Sequence, residues 1–112
     1  MEIISLPRSS LDGDGFGSRG IAMCSISGLD ADLEARVHIA WCEPHGVLGC
    51  HRAGRHQLFA IISGSGWVAG ADGVRVPVSV GQAALWSPGE VHESGSENGM
   101  TALIVASDRP FS

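Results

Sequence analysis

Along residues 33–42, LEARVHIAWC, the side chains Leu33, Ala35, Val37, Ile39 and Trp41 alternate with Glu34, Arg36, His38 and Ala40. A period of two is that of a half-buried strand, so the spacing predicts one face in the core and a polar face carrying His38. Residues 57–63, QLFAIIS, are rich in β-branched and aromatic side chains and run into Gly64-Ser65-Gly66, which predicts a second strand closed by a turn. Trp67 to Ala69 leads into Gly70-Ala71-Asp72-Gly73, and Asp-Gly tolerates the positive φ of a tight hairpin. Residues 74–78, VRVPV, should therefore return antiparallel beside residues 67–69, with Pro77 at an edge or bulge. Residues 82–86 form another strand, followed by the turn Ser87-Pro88-Gly89, a short strand through His92, the polar turn 94–99 and a last buried strand over residues 100–106. Only residues 31–36, ADLEAR, and the N-terminal loop have room for a helical turn, and neither sustains a helical period. Many short strands with turn signals every eight to twelve residues predict an all-β sandwich or barrel.

Composition narrows this further. A chain of 112 residues buries roughly 65% of the surface it exposes when unfolded, enough for one core, so residues 1–112 are expected to form a single domain. At 44% hydrophobic and 17% charged residues, with 16 glycines, the chain is too apolar for disorder and rich in turns. Residues 7–20, PRSSLDGDGFGSRG, look like a mobile arm, or a segment that packs on a partner subunit. The net charge of −5 and the scatter of the seven arginines argue against nucleic acid and against an anionic membrane surface. There is no signal-peptide pattern at the N-terminus and no apolar run approaching ~20 residues, which gives the expectation of a cytoplasmic protein. The three cysteines, Cys24, Cys42 and Cys50, lack CxxC spacing. They read as reduced, small buried hydrophobes, with Cys50 beside His51 the one to watch as a ligand or reactive thiol.

Two segments carry a family resemblance. HRAGRHQLFAIISGSG, residues 51–66, resembles the first cupin motif, in which histidines and a carboxylate precede a strand ending in Gly. GQAALWSPGEVHE, residues 81–93, resembles the second, with a Gly-opened strand, a Pro-Gly turn and a His shortly after. Their order and separation also fit, and the motif-bearing core spans about residues 45–106. The resemblance implies a cupin-like double-stranded β-helix, a jelly-roll barrel. It also implies a metal site, and transfer of that site goes residue by residue: counting back from Gly64, the carboxylate position falls on Gln57, the first histidine on His51, the second on Ala53 and the last on His92. Two positions are therefore imidazoles, one an amide and one an alanine. A Gln carbonyl coordinates a hard or borderline cation without offsetting its charge, so affinity for a divalent transition metal (Zn, Fe, Mn, Ni or Cu) should drop.

His56 offers an alternative ligand that would restore a three-histidine site. Neighbouring strand residues face opposite ways, so if Gln57, Phe59 and Ile61 point inward His56 points out, unless a bulge re-aims it. His45 is a weaker candidate. Glu90 stands two residues before His92 and would complete a two-His, one-carboxylate set if the segment is extended; otherwise Glu90 and Glu93 are solvated turn residues. Among the aromatic side chains Trp41, Phe59, Trp67 and Trp86, which strands commonly bury, Phe59 and Trp86 are the candidates for lining a pocket.

Three readings follow. The leading one is a small-molecule-binding barrel with a weak or degenerate divalent-metal site. The second is a metal-dependent enzyme of oxygenase or isomerase type, with Glu90 or Glu93 as general base. The third is a non-catalytic structural or regulatory dimer. A homodimer is expected in each case, because an apolar strand at an open edge invites pairing.

Overall fold

The structure is a computed structural model, and it describes residues 1–26 and 35–111. The described residues form eight strands and no helix: β1 (Ser9–Ser10), β2 (Arg19–Ser25), β3 (Ala35–Arg52), β4 (His56–Ala69), β5 (Val76–Ser79), β6 (Ala83–Trp86), β7 (Val91–Ser96) and β8 (Met100–Ser107). The start of the first predicted strand (residues 33–34) and most of the candidate helical turn (residues 31–34) lie outside the described residues. Among those described, no helix is long and apolar enough to cross a membrane.

Two long bent strands organise the molecule. The first half of β3 pairs antiparallel with β8 up to Cys42↔Met100, and its second half pairs with β7 from Gly46↔Ser96. The corner between them is Glu43-Pro44-His45, where neither ladder continues and a proline costs no hydrogen bond. His45 takes a φ of 65° there. In the same way β4 pairs first with β8 and then, past Gly64, with β7 and β5. Gly64 has a φ of 76°, and a Cβ on it would stand 2.2 Å from the Gly99 carbonyl oxygen, so no other residue turns this corner without strain. The expected turn at residues 64–66 is thus a bend within one 14-residue strand, because the partner strand changes while the ladder continues. The pairings β3–β8, β8–β4, β4–β7 and β7–β3 close a ring of strands. The Asp72-Gly73 hairpin returns β5 beside β4 with Trp67↔Pro77, and Pro77 lies in the edge strand.

The core fills the inside of this ring. Phe59 and Ile61 of β4, Met100, Ala102 and Ile104 of β8, and Ala40 and Cys42 of β3 form it with Ile21, Leu48, Val68 and Trp86. The phase of β3 differs from the sequence expectation. Cross-strand pairs His38↔Ile104, Ala40↔Ala102 and Cys42↔Met100 share the inner face. Val37, Ile39 and Trp41 lie half-buried on the outer face, Trp41 with the Arg8 guanidinium 4.2 Å from its ring centroid. The small Ala40 and Cys42 fit the crowded interior, and β2, which the sequence did not announce, pairs alongside β3 and sets Cys24 beside Ile39 and Ala22 beside Trp41 on the outer face. The segment expected as an arm folds back on its own chain. Ser9 and Ser10 pair with β2, and the following turn runs across the end of the ring.

Candidate functional site

His51 and His92 are directly opposite each other in the β3–β7 ladder. Leu48 pairs with Ser94 and His51 with His92, so β3 advances three residues while β7 advances two. The extra residue is a β-bulge at Gly49-Cys50. It puts Leu48 and His51, three apart, on the same inner face. Without it His51 would face outward and Cys50 inward; Cys50 is exposed, whereas Cys24 and Cys42 are buried. Burial pushes the Cys42 thiol up to about 11, which leaves it inert as a nucleophile.

The two imidazole centroids are 4.3 Å apart. His92 is 1% exposed and stacks on the Trp86 indole, centroids 4.3 Å apart, while Trp86 packs against Phe59 at 5.6 Å. Phe16 from the N-terminal turn lies 5.4 Å from the His51 ring. Each histidine commits its Nδ1 to a main-chain carbonyl, His51 to Gly49 at 2.7 Å and His92 to Glu90 at 3.2 Å. A carbonyl only accepts, so each Nδ1 carries the proton and each Nε2 presents a lone pair. The Nε2 of His92 is buried with no hydrogen-bond partner, and so is the Ser94 hydroxyl two residues on. Desolvation holds the His92 imidazolium below the ordinary histidine range, against a smaller opposing pull from the Glu90 carbonyl.

A cavity of about 340 Å³ opens beside His51. Leu11, Phe16, Met23, Leu48, Ile104 and Ala106 form its apolar wall, and Asp14, His38, His51 and Gln57 supply its polar groups. Gln57 reaches it because Gln57, Phe59 and Ile61 face inward, Phe59 and Ile61 being buried in the core. His56, half-buried at the start of β4, does not line it. His38 does, by the inverted phase of β3. Desolvation, then the nearby Arg36 charge, lowers its pKa. Asp14 accepts from the Phe16 N–H at 2.8 Å and the Ser18 N–H at 3.4 Å, and so folds the turn that sets Phe16 over His51. The buried Ser18 hydroxyl in turn accepts the Gly49 N–H at 2.9 Å, tying this turn to the bulge.

Several expected roles move elsewhere. Phe59 and Trp86, expected on the pocket wall, lie in the core, and Trp86 borders an outer hollow with Glu90. The Glu90 carboxylate accepts the Ser87 N–H at 3.1 Å and so caps the Ser87-Pro88-Gly89 turn, away from His51. Glu93 alternates with His92 and Ser94 and so faces the other way, half-buried and opposite Ala69. His45 pairs with Glu97 at 2.9 Å on the surface. Ala53, where the resemblance puts a second histidine, is a core residue whose backbone bonds Gly89 and Glu90. Among the described residues no three His, Cys, Asp or Glu side chains come together to hold a metal, so neither the three-histidine nor the two-His, one-carboxylate set forms. The donors on hand are two imidazoles and one amide, which fit at most a weak site.

No protein-family model and no curated protein sequence matches the chain. Solved structures do. A cupin-like protein from Thermotoga maritima superposes with a TM-score of 0.78 at 14% identity over 96% of this chain and 82% of that one. The chain has a cupin fold. A second Thermotoga maritima cupin-fold structure, described as a predicted oxalate decarboxylase, gives a TM-score of 0.75 at 22% identity over 93% of this chain and 92% of that one. A polyketide cyclase from Streptomyces resistomycificus gives 0.76 at 17% identity, covering 100% of this chain and 82% of that one. One cupin fold thus carries unlike chemistries, and function must be argued from the pocket.

Proposed function

We propose that this cupin-fold protein binds a small molecule in the cavity beside His51. The observation that carries the reading is the cavity itself: about 340 Å³, walled mainly by aliphatic and aromatic side chains, with His38, His51 and Gln57 as its few convergent polar groups. A neutral apolar fluorophore, N-phenyl-1-naphthylamine, should brighten on binding the wild-type protein. Ala106→Phe, which fills the cavity from its β8 wall, should abolish that response. No enhancement with the wild type, or the same enhancement with the filled variant, would refute the reading.

A second reading is favoured by the unpartnered buried Nε2 of His92. In it, His51 and His92 hold a divalent ion through Nε2 and Gln57 adds a neutral carbonyl oxygen. The ion would supply a Lewis acid to an oxygen-bearing ligand. The absence of a carboxylate in the donor set makes such binding weak, and ligand binding in the cavity does not depend on it.

A further inference from the structure

The polar groups of the cavity also restrict what kind of molecule it takes, an inference that rests on the small-molecule reading above. With both Nδ1 protons donated to carbonyls, His51 and His92 turn hydrogen-bond acceptors toward the interior. Of the two histidines only His51 lines the cavity, so its Nε2 is the acceptor within reach of a ligand there, while the His92 Nε2 and the Ser94 hydroxyl lie buried outside the cavity lining. Among the described residues no lysine or arginine lines the cavity, and the one formal charge on its wall is the Asp14 carboxylate. An anion would meet the like charge of Asp14 and no cation among these lining residues.

The geometry points to a neutral ligand with an apolar, aromatic body and a hydroxyl donor, a phenol or enol, whose O–H is accepted by the Nε2 lone pair of His51. Phe16 and Met23 supply the aromatic and thioether surface against which such a ring packs. The Gln57 amide, donor and acceptor in one group, serves a second oxygen on the same ligand.

Three probes of one shape test this at pH 8: 2-naphthol, 2-methoxynaphthalene and 2-naphthoate, titrated into the wild-type protein by calorimetry or ligand-observed NMR. One hydrogen bond to the half-buried His51 acceptor should make 2-naphthol bind about tenfold more tightly than its methyl ether, with the naphthoate weakest. His51→Phe should remove the advantage of the naphthol over the ether, read as the ratio of the two affinities in that variant. Should that variant fold poorly, the ranking on the wild type still decides. Naphthoate binding as tightly as naphthol, or an ether equal to the naphthol, overturns the ligand class while the cavity reading stands. If none of the three binds and the naphthylamine probe is also silent, both fall.

Discussion

Gly49→Ala should dislodge the N-terminal turn from the pocket mouth. A Cβ on Gly49 would stand 1.9 Å from the Phe16 carbonyl oxygen, 2.6 Å from its carbon and 3.0 Å from the Ser18 nitrogen. All three are backbone atoms, so no side-chain rotation relieves the clash. Ordinary contact begins near 3.4 Å, and residues 16–18 must retreat by roughly 1.5 Å. That retreat breaks the 2.9 Å bond from the Gly49 N–H to the buried Ser18 hydroxyl and lifts Phe16 from His51. An orphaned buried donor costs about 1–3 kcal/mol, and for a domain near 100 residues each kcal/mol moves the melting temperature by roughly 4–8 °C. A fall of at least about 5 °C is therefore expected by calorimetry, with faster amide exchange over residues 11–18 in native conditions. Gly54→Ala is the matched control. Nothing lies within 4 Å of its added Cβ, so the melting temperature should hardly change. A Gly49→Ala protein that melts within 2 °C of wild type, roughly half a kcal/mol or less, with unchanged exchange would show that the turn does not pack on the bulge.

The same structure sets three further expectations. Because burial lowers the His92 pKa, the unfolded chain binds a proton more readily than the folded one. Stability should be fully present above about pH 6.5, the unfolded value, and fall as pH drops through the folded pKa, with a slope of at most roughly 1.4 kcal/mol per pH unit from this group. A melting temperature that rises on acidification from pH 7 to 5 would contradict this, and the His38 shift, of the same sign, adds to the expected fall. For the metal reading, an ion at about a hundred times its dissociation constant adds ~2.7 kcal/mol. The resulting rise in melting temperature should vanish in His51→Ala and survive in His56→Ala; no rise with manganese, iron, nickel, copper or zinc would end that reading and leave the cavity one intact. Lastly, Val74, Val76 and Leu85 are exposed around the edge strand β5, and we expect them to pair two copies into a homodimer. Light scattering should then show a dimer that Val76→Lys dissociates, and a wild-type monomer at micromolar concentration would refute it.

Turn chemistry made much of the fold legible. Asp72-Gly73 gave the hairpin, Pro77 its edge position, and Ser87-Pro88-Gly89 the turn that Glu90 caps. The corners were not legible, because Glu43-Pro44-His45-Gly46 and Gly64-Ser65-Gly66 look like strand ends. A strand that changes partners at a kink has the local composition of two strands and a turn, and only the long-range pairing of β3 and β4 with both β7 and β8 distinguishes them.

The site depended on two choices of phase that alternation alone cannot make. Residues 35–42 alternate cleanly, but the set that begins with the polar Arg36 and His38 ends in the small apolar pair Ala40 and Cys42. Large side chains at Val37, Ile39 and Trp41 suggested the core, yet a narrow ring already filled by Phe59, Ile61 and Ile104 has room for Ala40 and Cys42 and not for Trp41. Side-chain volume thus decides which face turns in, and it brings His38 into the cavity unannounced. The second choice lies in the bulge. A bulge at His56 would add a third imidazole to the site. The extra residue falls instead at Gly49-Cys50, where the glycine also lets the Phe16 carbonyl approach the strand closely. The close approach and the inward turn of His51 therefore meet at one bulge. The bulge that receives the N-terminal turn over the pocket also aims the imidazole into it, so a substitution at position 49 should perturb entry to the cavity and its chemistry together.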